Sequence, residues 1–417
     1  MTNAQEVETR IGMIKTTTGK PADSKIEKPS ATEQQSEFIG LPFAFSSESM
    51  STAIGVAGLL KSAGQQQASL LGIAAGSLNH SYVGFFAANS YQIPALGEQW
   101  LFSAELYGAD LPEGTYFLDD EIISPFHAGA NQSKEETQIV THGKERTARI
   151  YAKYIVPIAA GKHGAVATLA GKQAIKSMVN PVLSGVTSIT LEPFYEARDL
   201  GEYNYLQRAQ RATGLNIGIR WDNRDSANAT LAGNVIAFDF TYGAKTDHLP
   251  QWSMWQMQYA HFVQLPKVSE LNNHVLAFSA QLSDTPSWNE KTDDTYHRPP
   301  EFAGVTLGGF RNLRGYSSQR FHGRSAVVYA AEYRVQPSWQ PLENIFEGYY
   351  NVPWWQWVLF AEAGRVADDF SLSTLHSEMK FSLGVGARFE VEGIVVRTEL
   401  AKGEEGSQFW VMVNQPF

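Results

Sequence analysis

The residues whose types could support catalysis are scattered along this sequence and do not form known motifs. Neither a His-Glu-x-x-His zinc pattern nor a Gly-x-Ser-x-Gly nucleophile pattern occurs. The stretch from Gly164 to Gly171-Lys172-Gln173 has the wrong spacing for a phosphate-binding loop. The ten His residues show no ligand-like spacing, and a single one such as His261 is more often structural than a ligand. The acidic pairs Asp368-Asp369 and Glu404-Glu405 are typical of solvated loops. The sequence therefore predicts no enzyme, no metal site and no cofactor.

Charged residues are more informative where they alternate with apolar ones. In Ser325–Gln336 the apolar side chains occupy odd positions, while Glu332 and Arg334 occupy even positions. A period of two predicts a β-strand with one apolar and one polar face. The same period recurs over Val235–Tyr242, Lys380–Val391 and Ile394–Leu400, with these charges on the polar faces: Asp239, Arg388, Glu390, Arg397 and Glu399.

The composition suits strands that lie in lipid. Only 18% of the 417 residues are charged, below the roughly 25% usual for soluble domains, and 12% are aromatic. In the longest uncharged stretch, 62–97, the apolar pieces are about ten residues long, which suits a membrane-spanning strand and is half of a membrane-spanning helix. So many strands would leave long apolar edges unless the sheet closed. We therefore predict an all-β, transmembrane antiparallel barrel of about 16 strands.

Charge and composition also narrow the partners and the domain organisation. A net charge of −10 argues against a nucleic-acid partner, and the absence of Cys excludes disulfides. Residues 1–37 are polar and low in apolar side chains, so we expect a flexible periplasmic tail before a barrel over residues 38–417. The first residues lack the basic start and apolar run of an export signal. Either the chain is soluble, or this is a mature or engineered start from which the signal was removed, and the rest of the sequence favours the second.

The last stretch of the sequence resembles the final strand of an outer-membrane barrel. Phe409, Val411, Val413 and Phe417 share one face if the alternation continues to the end. Such a strand with a terminal Phe is typical of outer-membrane barrels, whose assembly machinery recognises it. Pro416 departs from the pattern, although a strand end tolerates a residue without an N–H.

One motif is far more specific than composition. Leu313-Arg314-Gly315-Tyr316 lies in a Gly-rich and Arg-rich stretch that precedes the strand carrying Glu332. This arrangement resembles the bacterial surface antigen family, the BamA/TamA superfamily of outer-membrane assembly and secretion barrels. The family's hallmark is Val/Leu-Arg-Gly-Phe/Tyr at the tip of a long loop that folds back into the barrel. Gly218–Asp225 looks like its Asp-x-Arg-Asp strand, and Leu359–Val366 looks like its Phe-x-Asp-x-Gly strand, with Glu in place of Asp.

The resemblance implies an inward-folded loop near the C-terminal third, and elementary electrostatics predicts what holds it. Arg314 keeps its charge and needs partners when it leaves bulk water. Alternation places Glu332 and Glu362 on the inward faces of their strands, where they could hold the guanidinium fork. Gly315 would allow a tight tip, and Tyr316 would supply an apolar wedge.

The implied function is insertion or export of polypeptides at a bacterial outer membrane, with lipids, lipopolysaccharide and a polypeptide client as partners. Family members usually carry periplasmic POTRA domains before the barrel, whereas only the polar tail precedes the barrel here. Either a separate periplasmic or lipoprotein subunit supplies that part, or this is a POTRA-less variant with another role. The alternative is a passive pore or transporter for small solutes, in which the inward charges set selectivity.

Overall fold

The computed structural model describes residues 36–47, 49–117, 128–133, 138–169, 173–201, 211–247, 249–341 and 350–417. Residues 1–35, almost all of the predicted tail, lie outside this range, so the tail stays a prediction.

One antiparallel sheet of 16 strands forms a nearly closed barrel, which confirms the predicted fold. Each strand pairs with its sequence neighbour in that sheet. In chain order the barrel strands are β1 (Glu37–Ser47), β2 (Ser51–Lys61), β3 (Ser69–Ser77), β4 (Tyr82–Tyr91), β5 (Trp100–Phe117), β6 (Gln138–Ile155), β7 (Val186–Asp199), β8 (Arg211–Asp222), β9 (Gly233–Gly243), β10 (Trp252–Gln264), β11 (Leu271–Asp284), and, after the loop described next, β16 (Ser325–Pro337), β17 (Trp355–Ala367), β18 (Lys380–Val391), β19 (Ile394–Lys402) and β20 (Ser407–Val413).

The long connection over residues 285–324, here called the internal loop, holds two small sheets. They pair β12 (Lys291–Thr292) with β13 (Thr295–Tyr296), and β14 (Val305–Leu307) with β15 (Phe321–Gly323). The one α-helical turn among the described residues is α1 (Leu372–Leu375). Short 3-10 turns occur at Pro94–Leu96, Ala159–His163, Val166–Leu169, Pro286–Asn289 and Glu301–Ala303. Within the described ranges, no helix has the length and apolar content needed to cross a membrane.

The two faces of the wall follow the alternation in the sequence. On β18, Phe381 and Leu383 are 59% and 64% exposed on the outside, whereas Ser382 and Arg388 are buried inside. β9 behaves in the same way, with Phe238 exposed outside. Exposed apolar side chains on the outside and buried charges within are the arrangement of a barrel whose outer surface meets hydrocarbon.

The internal loop fills the barrel interior. Its residues Leu307, Leu313, Tyr316 and Phe321 are almost completely buried and pack with inward side chains of the wall, including Trp252. The core of this molecule is therefore the contact between the loop and the wall, which brings the predicted motif to the inner surface.

Candidate functional site

The tip of the internal loop is shaped by its backbone. Leu313 has a φ of 46°, in the left-handed region that a branched residue seldom adopts. Gly315 is required for a different reason than the predicted tight turn. A Cβ at this position would lie 2.4 Å from the backbone nitrogen of Gly403, in the turn between β19 and β20. The tip therefore touches the barrel wall backbone to backbone, and Tyr316 packs edge-on against Phe321 at 5.1 Å.

Arg314 lies fully buried among three carboxylates. Its Nη2 is 2.8 Å from Oε1 of Glu332 on β16, and its Nε donates to Oε1 of Glu362 on β17 at 3.0 Å. Its Nη1 donates to Oε2 of Glu399 on β19, also at 3.0 Å. The guanidinium carbon stands 3.5 Å from the ring centroid of Phe360, a cation–π contact. The structure thus brings together the predicted trio of Arg314, Glu332 and Glu362, and adds Glu399.

Other arginines extend this group into what we call the arginine cluster. Arg388 donates to both carboxylate oxygens of Glu332 and also to Glu399. Arg334 donates to Glu332, and Arg397 donates to Glu399. Counting all seven members, four guanidinium groups face three carboxylates. An isolated charge in a dry interior is very costly, so the cluster is favourable only while its members stay together.

The internal loop is also held on the walls away from its tip. Arg320 donates to both oxygens of Glu405 at 2.7 and 2.6 Å and to Ser133. On the far wall, Arg198 donates to Gln319 at 2.8 Å and stands over the ring of Phe302. These contacts fix the loop across the interior.

Strand β20 contacts the loop tip directly. The indole N–H of Trp410 donates to the backbone carbonyl of Arg314 at 2.7 Å, and its ring meets Phe310 edge-on. Phe409 and Val413 are exposed on the outer face of the same strand, as predicted from the alternation, and Val411 alternates with Trp410 and Met412.

Phe417 corrects the prediction for the last strand. β20 ends at Val413, and Asn414 has a φ of 67°, which turns the chain inward. Phe417 is buried inside the barrel, 6.2 Å from the ring of Phe262 and beneath the guanidinium of Arg334. Gln415 accepts a hydrogen bond from Arg388. The predicted outward face thus includes Phe409 and Val413 but excludes Phe417, because Asn414 and Pro416 interrupt the alternation.

The two end strands of the sheet do not pair with each other along their described residues, which leaves a seam between β1 and β20. Pro42 in the middle of β1 lacks an N–H, which fits an edge position. Side chains cross the seam near Glu37. Lys61 on β2 donates to Glu392 in the turn between β18 and β19 at 2.7 Å, and the hydroxyl of Tyr350 donates to the carbonyl of Gly40 at 2.8 Å.

Chambers remain in the interior between the described residues. A polar one of about 210 Å³ is lined by residues that include Asp222, Arg224 and Asp239. A second, of about 430 Å³, lies between the loop and the wall near the seam, with Phe85 and Tyr107 in its lining. Among the side chains that the structure describes, no group of three or more His, Asp or Glu is arranged to hold a metal ion.

Comparison with solved structures finds similar barrels. BamA from Haemophilus ducreyi lacking POTRA domains 1–3 superposes with a TM-score of 0.50 and 10% identity, covering 92% of this chain and 70% of that one. CdiB from Escherichia coli gives 0.53 and 11%, covering 91% and 62%. CdiB from Acinetobacter baumannii gives 0.50 and 10%, covering 92% and 60%.

This chain therefore spans only part of the length of those structures, and the likeness at 10–11% identity shows a shared barrel fold. No protein-family model and no curated protein matches the sequence.

Proposed function

We propose that this protein is an outer-membrane barrel of the assembly or translocation type, which inserts or exports polypeptides without making or breaking covalent bonds. The observation that carries the proposal is the seam, where β1 and β20 present strand edges that do not pair with each other. An unpaired edge offers a row of backbone donors and acceptors to another strand. The shared fold with BamA and CdiB supports the same proposal.

The internal loop fills the interior, so that a client strand can enter at the seam without opening a channel through the barrel. Arg314 and its three carboxylates hold the loop tip against β16, β17 and β19, while Trp410 connects the same tip to β20. A client strand could thus enter at the seam while the loop obstructs passage through the interior.

The proposed location is the bacterial outer membrane, with lipids and lipopolysaccharide around the exposed apolar wall. We also propose a separate periplasmic or lipoprotein subunit that delivers clients to the Glu37 end of the barrel. Purification from detergent-extracted membranes tests this proposal, because such a subunit should co-purify in a fixed ratio.

The function itself is tested by depleting the protein in its own host and measuring the other outer-membrane and exported proteins. Loss of a subset of these proteins is the expected result. An unchanged envelope, together with large steady currents through the purified barrel in planar bilayers, would instead identify a passive pore.

A further inference from the structure

The inner surface of the wall is apolar next to the seam. Register places a set of side chains from β1 to β4 on the inner face, because directly paired residues of antiparallel strands point to the same side. The positions at the two ends of this face are polar, among them Glu37, Lys61, Ser69, Ser77 and Asn89. All of the positions between them are aliphatic, aromatic, alanine or glycine. This set, here called the apolar strip, comprises Ile39, Leu41, Phe43, Phe45, Ala53, Gly55, Ala57, Leu59, Leu71, Ile73, Ala75, Val83, Phe85 and Ala87.

The rest of the wall is different. On β6 and β7 the inner face carries Arg149 bonded to Glu192 and Glu196, and on β16 to β19 it carries the arginine cluster. The interior of a membrane barrel is ordinarily polar, because only the outer face meets lipid. Strands β1 to β4 are therefore apolar on both faces, since Ile54 and Val56 are exposed on their outer side.

The chamber of about 430 Å³ borders this strip on its β4 side. Phe85, at the far side of the strip, lines it together with Tyr107. The opposite lining includes Phe310 of the internal loop and Met412 and Val413 of β20. The same chamber also carries the charged side chains Arg198, Arg311 and Arg397, so the apolar inner surface is that of strands β1 to β4 themselves.

Building on the proposed function, we infer that the segment accepted at the seam is a β-strand that is apolar on both faces. In strand addition the backbone pairs with the open edge, and alternate side chains enter pockets on the receiving surface. Beside β1, one set of client side chains would meet Leu41, Phe43 and Phe45, while the other set would meet lipid beside Phe38 and Ala44. A strand with a polar inner face would lose its hydration at the apolar strip without gaining partners.

The two edges favour a polypeptide over a lipid chain as the occupant. An acyl chain could cover the apolar strip, but it has no groups to pair with the backbone N–H and C=O groups along β1. In hydrocarbon each unpaired backbone group is costly. An extended chain satisfies both the backbone edge and the strip.

The absence of Cys from the sequence makes a direct test simple. Ala44→Cys places one thiol on the exposed face of β1. Two synthetic peptides are compared, each eleven residues long like β1. Each peptide carries one cysteine on the face that would point outward to lipid, and the other residues on that face are the same Val and Leu residues in both. One peptide has Val and Leu on the inner face, and the other has Thr and Gln. Disulfide yield is measured with the barrel in phospholipid vesicles.

We expect the doubly apolar peptide to cross-link at least about tenfold more than the half-polar one. Equal yields, or a preference for the half-polar peptide, would overturn the inference but leave strand addition at the seam intact. If neither peptide cross-links, the proposed function itself fails.

Variants of the barrel show which residues produce the preference between the two peptides. Phe43→Gln in the apolar strip should reduce the preference between the peptides to about twofold or less. Val56→Gln on the outer face of β2 is the matched control and should leave the preference unchanged. Folding of each variant is verified by its heat-dependent shift in gel migration. Because the peptide comparison on the parent barrel needs neither variant, a folding defect in Phe43→Gln does not remove the test.

Discussion

Arg314 makes three ion pairs with carboxylates that belong to three different strands. A planar guanidinium holds five N–H donors in a fixed fork, whereas the ammonium of Lys carries three rotatable donors on one atom at the end of a flexible stem. The residue at this position therefore acts as a tie between β16, β17 and β19, and its identity as well as its charge matters.

Arg314→Ala should strongly destabilise the docked loop. It would leave Glu332, Glu362 and Glu399 with fewer partners in a buried site, which costs roughly 3–5 kcal/mol for a broken buried pair. Limited proteolysis within residues 285–324 and urea unfolding would measure the effect.

Arg314→Lys should recover only part of that loss, because it restores the charge without the fork. Arg298→Ala, in the same loop but stacked on Trp288 and Tyr296, is the control and should change stability far less. Unchanged protection of the loop in Arg314→Ala would contradict the role assigned to the ion pairs.

At the residue scale, the alternation of apolar and polar positions in the sequence located part of this site. Alternation placed Glu332 and Glu362 on inward faces, and the motif indicated that Arg314 folds back toward them. Alternation also placed Glu399 inward, but nothing in the sequence related it to a residue 85 positions earlier. The contact between Glu399 and Arg314 depends on how the barrel curves, and the two-residue alternation within a strand does not encode that curvature.

At the scale of elements, the seam gives β1 and β20 a different environment from every interior strand. In an antiparallel strand, the N–H and C=O groups of one residue point to one neighbouring strand, and those of the next residue point to the other. A strand with one neighbour therefore leaves about half of its N–H groups without a ladder partner.

Hydrogen exchange should show this difference in the protein reconstituted in detergent. About half of the amides in β1 and β20 should exchange at the earliest times, while residues Trp255–Phe262 of β10, which pair with both β9 and β11, should stay protected. Equal protection of all three strands would mean that the seam is closed by a ladder in solution.

The ion pair across the seam should depend on pH. Burial raises the pKa of Glu392, but the hydrogen bond from Lys61, the backbone N–H of Asn351 and the charge of Lys61 together hold it below its ordinary value of 4.5. Because the pKa of Glu392 is lower in the folded state than in the unfolded state, its charge stabilises the fold at pH values above the ordinary pKa. This stabilisation is lost as the pH falls through the folded-state pKa.

A double-mutant cycle with Lys61→Met and Glu392→Gln isolates this pair from the weaker contact between Lys61 and Glu37 at 3.4 Å. We expect a coupling free energy of about 0.2–1 kcal/mol at neutral pH that is lost as the pH falls through the lowered folded-state pKa of Glu392. A coupling that persists in acid would show that Glu392 does not act through its charge.

The strands themselves were largely predictable, whereas their connections were not. Lys380–Val391 begins and ends where the alternation does. The last strand ends four residues before Phe417, because Asn414 takes a left-handed conformation and Pro416 lacks an N–H. Both residue types disfavour continued pairing, so the sequence held a signal for the break but none for the direction of the turn.

At the scale of the whole molecule, the barrel interior is divided rather than open. The internal loop crosses it between Glu405 and Arg198, and residues 414–417 enter from the seam to reach Phe262. The space that remains between the described residues includes chambers of about 210 and 430 Å³. Three of the inward charges that could set the selectivity of a pore instead hold these segments: Arg397 bonds Phe310, Glu399 bonds Arg314, and Arg388 bonds Gln415.

Conductance in planar bilayers measures this property of the whole barrel. The parent protein should give small, brief currents, since the loop blocks the interior. Arg314→Ala should give larger and longer openings, because the loop tip is released from three strands while the wall stays folded. Trp357→Phe, a change on the exposed outer face of β17, is the matched control and should conduct like the parent. Large steady currents from the parent barrel would mean that the loop does not close the interior, and a polypeptide passing the seam would then do so beside an open pore.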